Sequence, residues 1–123
     1  MAVTITPLGG LSGEWRIIRD ADCDETVEKD VADGAATIYV VRIDNSANAA
    51  LTYVKFWNDA APTVGTTAPD MILPANASDR HTYVFKGGNA FFTTSLSYAA
   101  VTAAGTAGVT GPTSAVIVEL VLE

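Results

Sequence analysis

AVIVELVLE, residues 115–123, alternates with a period of two. Val116, Val118, Leu120 and Leu122 fall on one face, and Ile117, Glu119, Val121 and Glu123 on the other. Successive side chains of a strand point to opposite faces, so this is a strand with one wholly apolar side and one mixed side. Such a strand covers a core with one face and meets a wetter surface with the other.

Working back from it, GTAGVTGPTS at 105–114 reads as a loop and AFFTTSLSYAAVTAA at 90–104 as strand. DRHTYVFK at 79–86 is a strand entered from the turn ANAS and left through GGN, and MILP at 71–74 is a short strand. DAAPTVGTTAPD, with Pro62, Gly65 and Pro69, is a turn-rich crossing. ATIYVVRIDN at 36–45 and LTYVKFWN at 51–58 are rich in β-branched and aromatic residues, and the short link NSANAA predicts an antiparallel hairpin between them. In the second of these, Leu51, Tyr53, Lys55 and Trp57 share one face and Thr52, Val54 and Phe56 the other.

Seven to nine short strands with turn signals at this spacing predict an all-β fold, an antiparallel β-sandwich of jelly-roll or immunoglobulin-like type. Residues 1–13 carry no charged side chain and hold Pro7, Gly9, Gly10 and Gly13, so an extended N-terminal arm is expected there. Residues 14–123 are expected to form one sandwich domain.

The densest carboxylate run, RDADCDETVEKD, spans 19–30. Counted from Asp20, it supplies acids at the first, third and fifth places of a calcium loop. Glu25 stands where that loop needs glycine, and Val31 where it needs a bidentate glutamate. A solvated acidic edge is the expectation, with no metal. The best helix candidate, CDETVEKDVAD, has Asp24 as a possible N-cap but only Val27 and Val31 for an apolar stripe, so a connecting turn is equally open.

With 14 acids against 7 bases, the net charge of −7 repels phosphate backbones, and no nucleic-acid partner is expected. No run of about 18 apolar residues suits a membrane span, and MAVTITPLGG lacks the basic flank of a secretory signal. The one cysteine, Cys23, lies among carboxylates that disfavour its thiolate. His81 is the only imidazole, and there is neither a GxSxG nor a phosphate loop. These features predict no catalytic residue and no cofactor. Trp57, beside Phe56, reads as core or half-buried, and Trp15 as a core lid or a partner anchor. The charge-free stretch from Gly87 to Val118 reads either as strands with small-residue loops or as partner surface.

VRIDNSANAALTYVKFWNDAAPTVGTTAPDMILP, then HTYVFKGGNAFFTTSLSYAAVT and SAVIVELVL, resembles a small all-β protein encoded among tailed-phage virion genes. The resemblance covers about two thirds of the chain and leaves residues 1–35 aside. It implies a non-enzymatic virion structural protein, foremost a capsid decoration (cement) protein. Such a protein would be made in the host cytoplasm and bound to the capsid exterior, as a dimer or trimer, with the major capsid protein as partner. The alternative it implies is a tail- or fibre-associated carbohydrate-binding module for host attachment. A small hydrolase is a distant third. Val3 and Ile5 alternate like a strand seeking an edge, and with Trp15 they are the expected partner-contact residues.

Overall fold

A computed structural model describes residues 3–7 and 15–123. It contains nine strands and, among the described residues, no helix. The strands are β1 (Val3–Pro7), β2 (Arg16–Cys23), β3 (Ala36–Asp44), β4 (Thr52–Trp57), β5 (Met71–Ala75), β6 (Arg80–Val84), β7 (Ala90–Phe92), β8 (Ser97–Val101) and β9 (Val116–Leu122). They form two antiparallel sheets. The larger has the order β1-β2-β9-β3-β6, with β7 continuing the β6 edge along β3, and the smaller has the order β5-β4-β8.

The pairing selects the jelly roll from the two sandwich types expected. Leaving β1 and β7 aside, β2 pairs with β9, β3 with β6 and β4 with β5. The segment around Glu28 pairs with β8 through Glu28 N–H to Tyr98 O at 2.8 Å and Tyr98 N–H to Glu28 O at 3.0 Å. First therefore pairs with last, second with next to last, and so inward, as in one long hairpin. Contacts of β9 with β3 and of β8 with β4 roll that hairpin into two sheets.

The core lies between the sheets. Val116, Val118, Leu120 and Leu122 are fully buried, the face that the alternation of β9 marks. They meet Ile18, Ile38, Val41 and Ile43 of the large sheet and Val54, Phe56, Leu73, Tyr98 and Ala100 of the small one. Apolar burial of this kind stabilises by roughly 25 cal/mol per Å².

One expectation changes, and open alternatives are decided. The hairpin between ATIYVVRIDN and LTYVKFWN does not form, because β3 has β9 on one side and β6 and β7 on the other, while β4 sits between β5 and β8. NSANAA instead crosses between the sheets. Its Asn45 and Asn48 are buried and hydrogen-bonded, which fixes a crossing where a tight turn was expected. The helix candidate over 23–33 is the end of β2 followed by the irregular segment that closes the β8 edge. The region before residue 34 supplies β1 and β2, so the extended arm, where described, is a strand annealed to β2 of its own chain. Residues 1–2 and 8–13 of the arm lie outside the described residues.

Candidate partner-binding face

The outer side of the small sheet is covered by its own loops. Lys55, wholly buried, donates from Nζ to Gly105 O at 2.5 Å, and burial pulls its ammonium below the usual lysine range. Trp57 Nε1 donates to Thr67 O at 2.9 Å. The 58–70 and 102–115 loops meet over this face. A side chain at Gly65, whose φ of +91° already favours glycine, would collide with Val109. These contacts put Trp57 beneath the loops rather than between the sheets. They also account for the charge-free 87–118 stretch, since residues 95–101 are all buried and the loop after them is a cover.

The outer side of the large sheet carries no such layer among the described residues. Its strand registers define rows of side chains across it. One row runs Thr6, Ile17, Val121, Val40 and Val84, all half-buried or exposed, with Val84 69% exposed. The next runs Thr4, Arg19, Glu119, Arg42 and Thr82, and beyond it lie Ile117, Asp44 and Arg80. The β3–β9 register shifts between Ile38 and Val40, which leaves Tyr39 as an extra residue. Its ring centroid is 4.4 Å from that of Trp15.

The face therefore has an aromatic and aliphatic end and an arginine-rich end. Arg42 pairs with Glu119 and Arg80 with Asp44, each at 3.1 Å, and Arg19 has no ion-pair partner among the described residues. Three arginines against two carboxylates leave +1 here, on a chain whose net charge is −7. Exposed pairs of this kind add little to folding stability. Trp, Tyr and Arg are the side chains that most often dominate binding energy at protein interfaces.

The expected contact residues fall on both sides of this sheet. Trp15 stands with Tyr39. Val3 is half-buried against the core, and Ile5, opposite the buried Ile18, is 49% exposed. Arg19, Tyr39, Arg42 and Arg80 were not singled out from sequence. Their common face follows from which strands adjoin, which alternation within one strand does not reveal.

The acidic run is only partly a wet edge. Asp22 and Glu25 are exposed, but Asp20 is fully buried. Asp20 accepts from Asp22 N–H at 2.9 Å and from the Tyr98 hydroxyl at 3.2 Å. Burial nevertheless pushes its carboxyl above the usual range, and Glu28 is raised likewise, first by burial and then by the Asp20 charge. Burial and the surrounding carboxylates hold the Cys23 thiol well up, which leaves it a poor nucleophile. The Asp24 carboxylate accepts from Thr26 N–H at 2.9 Å, which closes a turn directly after β2. His81 Nε2 accepts from Asn76 N–H at 3.0 Å, which leaves that nitrogen engaged.

Asp20→Asn tests this reading. A carboxylate whose folded pKa is raised costs no stability below its unfolded pKa, and the cost grows as pH rises through the folded value. The substitution should therefore raise the melting temperature at pH 8, with the gain vanishing near pH 3, as measured by calorimetry across that range.

Compared with protein-family models, with curated proteins and with solved structures, the chain matches none of them.

Proposed function

We propose that the chain is a non-enzymatic structural protein of a phage particle, a decoration protein that binds the outside of the capsid shell. The observation that carries this reading is the asymmetry of the sandwich. One outer face is sealed by the chain's own loops, and the other presents Trp15, Tyr39, Arg19, Arg42 and Arg80 to a partner. Jelly rolls recur in viral shells, and the sequence resemblance points the same way. Docking of the open face across the joints between capsid subunits would bury area in both and raise the barrier to rupture. Co-sedimentation of the purified chain with emptied capsids tests it. Saturable binding is expected, and no binding at any stoichiometry rejects it.

A second reading, host-glycan attachment, is favoured by a depression of about 200 Å³ lined by Asn58, Asp70, Asn89 and Phe91. Phe91 is 55% exposed, and a ring beside amide and carboxylate groups suits one sugar residue. The volume is below the roughly 300–1,000 Å³ of sites that enclose a whole drug-sized ligand. Binding on a glycan array that Phe91→Ala abolishes would establish this reading. An array without signal rejects it.

A further inference from the structure

We infer that β1 is a self-pairing edge, through which two copies of this chain join antiparallel, β1 against β1, into one continuous sheet. The inference goes beyond the capsid role and is independent of it.

An open edge offers unpaired backbone groups, and proteins commonly guard edges with charge, proline, bulges or a covering segment. The β8 edge is closed by the acidic segment, through Ala100 N–H to Asp24 O, Tyr98 N–H to Glu28 O and Val31 N–H to Leu96 O. The β5 edge carries Pro74 within the strand, and the Tyr83 hydroxyl donates to its carbonyl. The β6 edge carries Arg80 and His81, and the Gly87–Gly88 turn separates it from β7. Among the described residues the charge-free edges are β1, β5 and β7. Of these, β5 has Pro74 inside it and β7 is only three residues long, so β1, Val-Thr-Ile-Thr with proline only at its last position, is the longest uninterrupted one.

Its sequence is complementary to itself. A twofold axis at Ile5 sets Ile5 against Ile5 of the second copy, Thr4 against Thr6, and Val3 against Pro7. Threonine pairs then lie on the solvent side and the β-branched Ile5 pair on the core side, both favourable cross-strand combinations. The same axis covers the exposed Ile5, which lies on the core side of β1 but is 49% exposed. A second copy is the occupant chosen because a twofold contact requires one patch to match itself. An uncharged edge is also where two chains of net charge −7 repel each other least. The six strands of the large sheet from each copy would then belong to one continuous sheet.

The test uses the full chain. Sedimentation at micromolar concentration should give twice the 12.8 kDa of the chain, and Ile5→Lys, which sets two like charges across the axis, should give the single mass. Directly opposed residues of antiparallel strands lie about 4.5–5.5 Å apart at Cα, within disulfide reach. Oxidised Ile5→Cys should therefore form a covalent dimer. Ile72→Cys, at a similarly exposed site on β5, should not, and Cys23 is buried and does not compete. A monomeric or trimeric parent chain, a dimer that persists in Ile5→Lys, or equal cross-linking at residue 72 would overturn the inference.

Discussion

Asn45→Ala should lower the melting temperature by about 10 °C, which corresponds to a loss of roughly 3 kcal/mol. The side chain is fully buried. Its Nδ2 group donates to Ala50 O at 3.0 Å and to Ala75 O and Asn76 O at 3.1 Å, and its Oδ1 accepts from Asn48 Nδ2 at 2.9 Å. Asn48 in turn donates to Ser114 O at 2.8 Å and accepts from Ser114 N–H at 2.8 Å. Two amides thus tie together the β3–β4, β5–β6 and β8–β9 connections at one end of the sandwich. Truncating Asn45 leaves the buried Ala75 carbonyl and the buried Asn48 amide without their partner, and each buried unsatisfied group costs about 1–3 kcal/mol. Asn45→Asp should be at least as damaging above neutral pH, because it sets a carboxylate against three carbonyls. Thermal unfolding of both variants checks this. A change of under about 2 °C would mean that the crossing holds without its amides.

On the proposed decoration role, Tyr39→Ala should weaken binding to emptied capsids by about 30-fold while the melting temperature moves by less than a few degrees. Central aromatic anchors at interfaces commonly contribute 2 kcal/mol or more, and each 1.4 kcal/mol is about tenfold in affinity. Tyr39 lies on the open face and outside the core between the sheets, and its chief aromatic contact is Trp15. Arg42→Glu, on the same face, should slow association and flatten its dependence on salt, because it puts a second negative charge beside Glu119 and removes attraction that salt would screen. Titration of emptied capsids with each variant gives both numbers. Unchanged affinity in both would move the attachment surface elsewhere on the chain.

The alternation in residues 116–122 was enough to identify a strand and its buried side. In β4 it separated Val54 and Phe56 from Tyr53, Lys55 and Trp57 but did not say which set meets the core. It could not show which strands adjoin, since period two describes one strand and pairing depends on distant segments. NSANAA shows why: a short polar link suggests a turn, and only the burial of Asn45 and Asn48 makes it a crossing between sheets. Asp20 misled in the opposite direction. Carboxylates in a run look solvated, yet the strand period turns Ile18 and Asp20 inward together and Arg19 outward. The open face was the least legible feature. Arg19, Glu119 and Arg42 are remote in sequence and become one row only through the β2–β9–β3 register.

A cryo-electron-microscopy map of capsids saturated with the purified chain tests the proposed role most directly. The expected map places the large sheet's outer side, with Trp15, Tyr39, Arg19 and Arg42, against the joints between capsid subunits, and leaves the loop-covered small sheet facing solvent. Shells with no added density, or with the small sheet docked and the arginine row facing solvent, would contradict it.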